Sequence, residues 1–324
     1  MSLRKHLPTD WVRICARYAY EETRKNGLRG AREGAVRPWR DFLKKVHRRR
    51  VQWAGNPGDS IYDREWDVLV ILDACRVDLM NEVADEYPFI GPVSTFDSLA
   101  SMSEDWMDRN FTPANADETA RTAYVTGNPF SRVLDSAAFA SFDEVWRYGW
   151  DDDLHTIPAR PITDRAIDTW RQRDDHGAEW MIVHYMQPHG PFVNDPIYGS
   201  FGDTEDFGEG FGGEFWRQAG YTIPRERVWG AYRENLRYVL DDVSVLLENL
   251  DAERVVLSAD HGNALGEFGI WGHPFDVLIP PIRTVPWVET AGVDEHTHIP
   301  TTERVEESED EEGVKERLRD LGYV

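Results

Sequence analysis

The sequence predicts an α/β protein whose mostly parallel central sheet is covered by helices on both faces. The first observation is a set of short runs rich in valine, isoleucine and leucine, which are typical of strands buried on both sides. The second is that segments with helical periodicity alternate with these runs. The third is the length of 324 residues, which suffices for one large domain with a buried core.

The elements follow in order along the chain. The predicted strands are 67–72, 180–185, 254–258 and 284–288, with short strands near 123–126 and 142–146. The predicted helices are 77–85, 103–111, 163–173 and 225–250. The second helix is predicted to begin with Ser103 as its N-cap, because two acidic residues follow in the first turn. The glycine-rich, acidic segment 195–223 is long for a loop, so we expect it to be functional or mobile.

Composition indicates adaptation to high salt. The chain has 59 acidic against 36 basic residues, a net charge of −23, and 5 lysines beside 31 arginines. Molar salt screens the self-repulsion of such a surface, because the Debye length falls to about 3 Å at 1 M. We therefore expect an extreme halophile of haloarchaeal type as the source. An ordinary acidic cytosolic protein is the alternative, and the scarcity of lysine argues against it.

The composition also disfavours several classes of protein. An acidic domain repels phosphates, so nucleic acid is not expected as a partner. The sequence has no run of 18 or more apolar residues to predict a transmembrane helix, and no apolar signal-peptide core near its start. Two cysteines, Cys15 and Cys75, do not make a disulfide framework. We therefore expect a cytoplasmic protein.

A basic arm is predicted at residues 1–55, ahead of a larger domain at 60–324. Residues 1–50 carry 15 basic and 5 acidic side chains, so they are net +10 while the rest of the chain is net −33. Apolar side chains at helical spacing predict amphipathic helices there. They are Trp11, Ile14 and Tyr18, followed by Val36, Trp39, Leu43 and Val46. The arm is expected either on an anionic membrane surface, at the inner face of the cell membrane, or docked on protein.

Three of the predicted strands are followed by side chains of types that commonly bind metals. Asp73 ends the first strand, His189 lies in a proline-bounded loop after the strand at 180–185, and Asp260 with His261 ends the strand at 254–258. The carboxyl ends of parallel strands face the ligand crevice in this fold class, so we expect these side chains to meet. Carboxylate and imidazole together suit Zn²⁺ or Mn²⁺ better than Mg²⁺ or Ca²⁺.

The motifs around these residues resemble those of the sulfatase-like branch of the alkaline phosphatase superfamily. Asp73-Ala-Cys-Arg76-Val-Asp78 resembles the acidic-x-x-Arg-x-Asp opening of phosphoethanolamine transferases. Pro188-His189-Gly-Pro191 is similar to their Ser-His-Gly-Pro loop. Asp260-His261-Gly, through Leu265-Gly-Glu267 to His273, is similar to their Asp-His-Gly-Glu-Ser-Leu-Gly-Glu…His pattern. The resemblance covers roughly residues 60–324.

The sequence departs from the sulfatase pattern. It lacks the Cys-x-Pro-x-Arg or Ser-x-Pro-x-Arg signature whose first residue becomes formylglycine. The second of the usual paired aspartates is Ala74, and the sulfatase Asp-Asn-Gly is Asp-His-Gly at 260–262. These differences favour chemistry like that of the phosphoethanolamine transferases. A sulfuric ester hydrolase without formylglycine stays an alternative, as do a two-metal mutase or phosphodiesterase and a non-catalytic anion-binding descendant.

The resemblance implies a metal-dependent hydrolase or transferase that acts on a phosphate or sulfate ester, on a glycan or lipid-linked substrate, through a covalent serine intermediate. It implies a Zn²⁺ or Mn²⁺ site made by Asp73, Asp260, His261 and the hydroxyl oxygen of Ser101. Ser101 precedes a predicted helix and resembles the threonine of Lys-Thr-Ser-Asp-Ser-Glu-Phe in lipoteichoic acid synthases. The other hydroxyls that stay open as nucleophile are Thr95, Ser98 and Ser103.

Four further residues are expected around the substrate. His189 and His273 are expected to contact the transferred anion or the leaving group, or to hold a second metal. Arg76 is expected to face the anion. His184 is expected to bind or support the substrate, with a core histidine as the alternative. Hydrolysis or transfer, and phosphate or sulfate, stay open at this point.

Overall fold

Alternating strands and helices make up the part of the chain that the computed structural model describes, which is 58–195, 223–275 and 277–301 with single positions elsewhere. Most of the arm, the segment 195–223, and the residues after 301 lie outside the described residues. The strands are β1 Val68–Leu72, β2 Ser94–Asp97, β3 Thr122–Thr126, β4 Ser141–Glu144, β5 Trp180–Tyr185, β6 Ala252–Ser258, β7 Ala264–Leu265, β8 Trp271–Gly272 and β9 Thr284–Gly292. The helices are α1 Val77–Val83, α2 Ser103–Asn110, α3 Ala116–Thr119, α4 Ala159–Arg171, α5 Arg173–His176, α6 Arg225–Leu247 and α7 Pro280–Arg283.

Seven strands form the central sheet in the order β2-β9-β6-β1-β5-β3-β4. β1 pairs in parallel with β5 and β6, and β3 pairs in parallel with β5 and β4. β9 is antiparallel to both β6 and β2, which adds an edge that the sequence did not predict. The mostly parallel sheet is therefore confirmed. β7 and β8 form a separate antiparallel pair that carries the chain from Asp260 back to His273.

Helices cover both faces of this sheet, and the alternation of side chains along β5 shows it. Tyr185 points to one face, where its hydroxyl lies 2.8 Å from Thr163 Oγ1 of α4. His184 points to the other face, where its ring packs edge-on against Trp106 of α2 with the centroids 5.7 Å apart. α6 packs against α4 and α1. The predicted covering of both faces is thus confirmed.

The start of α2 differs from the prediction. The helix begins at Ser103 as expected, but its N-cap is Met102, which makes no side-chain cap hydrogen bond. The capping role predicted for Ser103 is therefore wrong. Ser103 is instead the first helical residue and is fully buried. Acidic residues in the first turn follow a buried polar residue at the first helical position just as they follow an N-cap. The pattern therefore did not distinguish the two positions.

The arm contributes few described residues, and one of them bears on its docking. The described positions between 13 and 53 are helical. Leu43 packs against a small apolar cluster of Ala264, Ile270, Val277, Ile279 and Ile282. This contact favours docking of that part of the arm on its own domain. The division of the chain between 55 and 60 stays a prediction.

Among the described residues, no helix combines the length and the apolarity needed to cross a bilayer. The longest described helix, α6, alternates buried and exposed residues along Arg225–Leu247 and contributes its buried side to the core. It is therefore an amphipathic element of the domain.

A substitution at Gly262 tests the close packing behind Asp260 and His261. A Cβ atom on Gly262 would lie 2.4 Å from the Pro281 carbonyl oxygen, so we expect Gly262→Ala to lower the free energy of unfolding by about 1–3 kcal/mol. Gly230→Ala in α6 is the control, because a Cβ there meets no atom within 4 Å and should stabilise the helix by about 0.5–1 kcal/mol. Denaturant unfolding measures both, and a Gly262→Ala protein as stable as the parent would contradict the packing.

Candidate metal centre

The site lies at the carboxyl ends of β6, β1 and β5, three neighbouring parallel strands. Ile71 of β1 is level with His184 of β5 and Ser258 of β6. Asp73 and Asp260 come two residues beyond that level, so their carboxylates emerge at the same edge and on the same face of the sheet as His184. Since the chain adds β5 on one side of β1 and then β6 on the other, this edge is the switch point where α/β sheets bind ligands.

Asp260 is fixed by two backbone amides. Its Oδ1 accepts hydrogen bonds from the Ala74 amide at 3.1 Å and from the His261 amide at 2.9 Å. Its Oδ2 is therefore turned away from the backbone and lies 3.4 Å from His261 Nε2 and 3.9 Å from His184 Nε2. Oδ2 is buried and accepts no hydrogen bond from a described residue. The carboxylate thus presents one oxygen to a buried space bounded by imidazoles.

Asp73 turns one oxygen toward the same imidazole. Its Oδ1 lies 3.6 Å from His261 Nε2, and its Oδ2 accepts a hydrogen bond from Asn128 Nδ2 at 2.9 Å. Asn128 follows β3, and its amide donates to Thr126 Oγ1 at 2.9 Å. Asn128 was not among the residues expected at the site. The signal that indicates it is a Gly-Asn-Pro turn directly after a predicted strand, because that turn reaches the same edge of the sheet.

These side chains fit a divalent metal. The Gly262 carbonyl can only accept, so His261 donates its Nδ1 proton to it at 3.2 Å and leaves a lone pair on Nε2. The 3.4 and 3.6 Å separations between this Nε2 and the two carboxylate oxygens match the roughly 3.4 Å between ligands of a tetrahedral Zn²⁺ with bonds of about 2.1 Å. A buried polar atom without a partner costs about 1–3 kcal/mol, which a bound cation offsets.

His184 also belongs to the group that surrounds this space. Asp73, His184 and Asp260 place ligand atoms within 4.8 Å of one another. All three residues are buried, and His184 Nε2 has no hydrogen-bond partner among the described residues. The structure therefore brings together the three protein side chains expected as ligands, and adds the imidazole of His184 beside them.

His189 and His273 form a pair next to this group. His189 donates its Nδ1 proton to the Gly190 carbonyl at 2.6 Å, and its Nε2 lies 3.1 Å from His273 Nε2. The His273 ring stacks on His261 with the centroids 4.3 Å apart. His273 is half-buried, whereas His189 and His261 are buried, so the cluster opens to solvent beside His273. The pair therefore lies against the His261 ring on the more exposed side of the cluster.

Burial keeps three of these imidazoles neutral. It lowers the pKa of His184 from 6.5 to about 4, and neighbouring His261 adds to the effect while Asp260 partly opposes it. Burial and His261 likewise lower the pKa of His189 to about 4 and hold that of His273 well below its usual range. Neutral imidazoles keep a lone pair for a metal or a proton.

The pKa of Asp260 shifts in the direction that favours a metal. Burial alone would raise it, but the imidazoles of His261 and His184, the Ser103 hydroxyl and the Ala74 amide together hold the pKa of Asp260 below its usual range. The carboxylate is therefore ionised at neutral pH. A carboxylate oxygen beside imidazole nitrogens is the donor set that Zn²⁺ and Mn²⁺ take.

The candidate hydroxyls occupy different surroundings. Ser101 is buried just ahead of α2, and its Oγ lies 3.4 Å from the Pro274 carbonyl, next to His273. Ser103 is buried, and its hydroxyl faces Asp260, whose pKa it lowers, but it makes no regular hydrogen bond with a described residue. The Ser101 hydroxyl thus faces the residue after His273, whereas the Ser103 hydroxyl faces Asp260.

The other two hydroxyls are less suited to attack a substrate. Ser98 Oγ donates to the Asp260 carbonyl oxygen and accepts from the Ala100 amide, so it links the loop before α2 to the end of β6. Thr95 lies exposed on β2, a strand that pairs with β9 at the edge of the sheet. β2 is separated from β1 by β9 and β6 in the sheet, so Thr95 is remote from the carboxylates.

Arg76 is bound on all sides by protein. Its Nε and Nη2 donate to the Asp78 carboxylate at 2.8 and 2.6 Å, and its Nη1 donates to the Asn263 carbonyl at 2.7 Å and to Glu267 Oε1 at 3.0 Å. Its guanidinium lies 5.2 Å from the centre of the Trp229 ring. These contacts join the loop after β1 to the segment after β6. They favour a structural role for Arg76 over the expected contact with a substrate anion.

Comparison with known proteins gave structural likenesses alone. No family model and no curated protein matches the chain. The soluble domain of lipooligosaccharide phosphoethanolamine transferase A from Neisseria meningitidis is similar with 15% identity and a TM-score of 0.44, over 75% of this chain and 80% of that one. The periplasmic domain of a phosphoethanolamine transferase from Campylobacter jejuni is similar with 16% identity and a TM-score of 0.42, over 68% and 77%.

A third likeness is to a protein solved with its substrate D-glucosamine-2-N,6-O-disulfate, at 12% identity and a TM-score of 0.46, over 70% of this chain and 71% of that one. Proteins described as sulfatases are also among the structural neighbours, one of them a putative sulfatase from Bacteroides thetaiotaomicron at 11% identity and a TM-score of 0.42, over 69% of this chain and 64% of that one. Every one of these TM-scores is below 0.5. A function is therefore inferred from the side chains of this chain.

The neutral buried histidines predict a pH dependence of the metal-free protein. Their pKa values are lower in the folded state than the ordinary 6.5, so the unfolded chain binds protons first as the pH falls. Stability should therefore be full above about pH 7 and decline toward pH 4, by on the order of 2 kcal/mol at pH 5 for each of His184 and His189. Urea unfolding of chelator-treated protein at pH 7.5 and 5, in constant molar KCl, measures it.

His189→Gln should reduce the difference in stability between pH 7.5 and pH 5. His176→Gln, at an exposed position, should leave that difference unchanged. Equal urea midpoints at the two pH values for the unsubstituted chain would contradict the assignment of neutral buried imidazoles.

Proposed function

We propose that this chain is a metal-dependent enzyme that hydrolyses or transfers phosphate esters through a covalent serine intermediate. The observation that carries the proposal is the buried arrangement of Asp260, Asp73 and His261, in which two carboxylates and a ring nitrogen converge at ligand spacing. Two carboxylates and one imidazole leave a position for a hydroxyl, as catalytic metal sites require. Zn²⁺ or Mn²⁺ is the cation proposed here, because imidazole nitrogen suits either better than Mg²⁺ or Ca²⁺.

The protein residues divide the reaction between them. A cation held by Asp73, Asp260 and His261 supplies charge stabilisation for the transferred group and lowers the pKa of a neighbouring hydroxyl. Ser101 forms the new bond from its Oγ to phosphorus while the bond from phosphorus to the leaving oxygen breaks. The neutral imidazole of His273, beside Ser101, takes the serine proton and returns it to the leaving oxygen.

The second half of the reaction frees the serine. Water or an acceptor alcohol attacks the phosphoserine, its proton passes to the imidazole, and the serine oxygen leaves and is protonated again. His189 holds His273 through the contact between their Nε2 atoms at 3.1 Å. Hydrolase and transferase differ here only in the nucleophile that arrives, and access is through the side of the cluster beside His273.

The substrate proposed is an anionic ester on a glycan or a lipid. Two exposed phenylalanines lie close to His273 in the chain, one on either side: Phe268 is 61% and Phe275 is 44% exposed. Exposed aromatic rings at the mouth of a site provide surface for a sugar ring or an acyl chain. We propose a phosphate ester rather than a sulfate ester as the substrate because the sequence has no formylglycine signature.

Sulfate-ester hydrolysis is the second candidate, because the buried metal group would bind either tetrahedral anion. Matched phosphate and sulfate monoesters of one aryl alcohol distinguish the two in molar KCl. Faster turnover of the phosphate supports the proposal. Faster turnover of the sulfate would favour the second candidate.

Removal of Asp260 should abolish metal binding. Asp260→Ala deletes an anionic ligand from a buried site with few ligands, so metal content should fall from about one equivalent to near zero, and turnover with it. Asp164→Ala is the matched control, because this buried carboxylate holds His298 and the Thr301 amide outside the site. Metal analysis of proteins purified in molar KCl measures both. Stoichiometric metal in Asp260→Ala would contradict the assignment.

The nucleophile can be identified by trapping it. The unsubstituted enzyme, quenched in acid during turnover, should carry phosphate on Ser101 in peptide mass spectra, and Ser101→Ala should lose the label and about three orders of magnitude or more of kcat. Ser131→Ala is the control, since that buried serine bonds Glu144 away from the site. A label on Ser103 instead would transfer the role to that residue. No label on any serine of an active enzyme would contradict the covalent mechanism.

A cytoplasmic protein peripheral to the inner face of the membrane is proposed, with residues 1–50 as the membrane contact. Arginines flank the apolar side chains of the arm, and Tyr20 and Trp53 are 69% and 91% exposed. Deletion of 1–50 should reduce co-sedimentation with anionic vesicles at molar KCl, because apolar burial persists when salt screens the arginines. Turnover of a small soluble ester should stay nearly unchanged. Equal sedimentation of the two proteins would favour docking of the arm on protein, as the Leu43 contact does.

A further inference from the structure

β3 supplies a row of polar side chains directly behind the metal group. Tyr124, Thr126 and Asn128 alternate along the chain at this point, so they lie on one face, the face on which His184 lies. All three are buried. Polar side chains in such a row on a central strand lie against either each other or a neighbouring polar site, because buried polar groups need partners.

The row is hydrogen-bonded to two of the residues around the metal position. Tyr124 Oη lies 2.8 Å from His184 Nδ1, and Asn128 Nδ2 donates to Asp73 Oδ2 at 2.9 Å. Thr126 connects the two, since its Oγ1 accepts the Asn128 amide at 2.9 Å and its hydroxyl also interacts with that of Tyr124. Residues of β3 and of the turn after it thus hydrogen-bond both the Asp73 carboxylate and the His184 imidazole.

We propose that His184 is a further ligand of the metal through Nε2, and that Tyr124 is the positioning residue that fixes the ring in the tautomer with its proton on Nδ1. The inference rests on the proposed function and deepens it by adding a fourth protein ligand, so that the serine hydroxyl would take a fifth position at the metal. It also assigns a role to Tyr124, which does not touch the metal.

The tautomer follows from where the protons can go. If Tyr124 donated to Nδ1, the proton of His184 would sit on Nε2, fully buried, and its nearest acceptor would be Asp260 Oδ2 at 3.9 Å, beyond hydrogen-bond distance. With the proton on Nδ1, the Tyr124 hydroxyl oxygen accepts a hydrogen bond from the ring and donates its own hydrogen bond to Thr126 Oγ1. Nε2 is then left with a lone pair directed toward Asp260 and Asp73.

The packing of the His184 ring favours a ligand over a core histidine. The ring of His184 is wedged between Trp106, edge-on at 5.7 Å, and Tyr124, stacked at 6.2 Å, so its direction is fixed by packing. A fixed ring with its second nitrogen bonded from behind is the arrangement that metal-binding histidines have.

Cobalt substitution tests the proposal with a readout other than activity. Co²⁺-loaded protein should lose intensity and shift its visible d–d bands in His184→Ala, and the affinity for Co²⁺ in a competitive chelator titration should fall at least tenfold. Tyr124→Phe should keep about one equivalent of Co²⁺ but bind it about 10- to 100-fold more weakly, since removal of a partner behind a ligand has that effect. Circular dichroism and thermal unfolding establish that each variant is folded.

Tyr185→Phe is the matched control. It removes the hydroxyl of the next buried tyrosine, which bonds Thr163 on the opposite face of the sheet, so Co²⁺ affinity and spectrum should equal those of the parent. If both tyrosine variants weaken Co²⁺ equally, the effect is general destabilisation and the role of Tyr124 is refuted.

The unsubstituted protein provides a measurement that does not depend on a variant folding. Loaded with ¹¹³Cd²⁺ and labelled with ¹⁵N in histidine, it should show cadmium coupling to Nε2 of His184 and a proton on its Nδ1. Absence of that coupling, with coupling to His261 present, overturns the inference while the proposed metal centre stands. Absence of metal binding by the unsubstituted chain would overturn the proposed function and this inference together.

Discussion

The carboxylate of Asp260 is the point on which the site depends. Two amides, from Ala74 on the loop after β1 and from His261, hold one oxygen and so aim the other. Because the donors come from loops that follow two neighbouring parallel strands, any change in the β1–β6 register would move the carboxylate. The sheet is therefore a part of the site, since it sets the distance between the two loops.

Charged groups around Asp260 are costly to bury, and the balance of their charges determines which ligand the cluster can bind. An ionised carboxylate cannot stay buried without partners, and the imidazoles of His184 and His189 are neutral because burial lowers their pKa. The ionised carboxylate of Asp260 therefore leaves a negatively charged space. A divalent cation is the partner that neutralises this space, and the orphaned oxygen of Asp260 is the local evidence for it.

Much of this arrangement was predictable from the sequence because it follows local rules. Apolar runs ending in Asp73 and Asp260 predicted the strands and, since parallel strands end together, their meeting. The antiparallel edge was not predictable, because an apolar run does not encode the direction of its neighbour. The Tyr124–His184 and Asn128–Asp73 contacts depend on which strands are neighbours. The contacts of Arg76 were not predictable either, because its partners Asn263 and Glu267 are remote in sequence.

The central claim is that a divalent cation lies between Asp260 Oδ2 and His261 Nε2. Crystals grown with Zn²⁺ and measured on both sides of the zinc absorption edge test it most directly, since anomalous differences locate the metal without reference to activity. The account predicts one strong peak within about 2.3 Å of both atoms and of an Asp73 oxygen. The absence of a peak there at millimolar Zn²⁺, in crystals where the carboxylates are ordered, would contradict it.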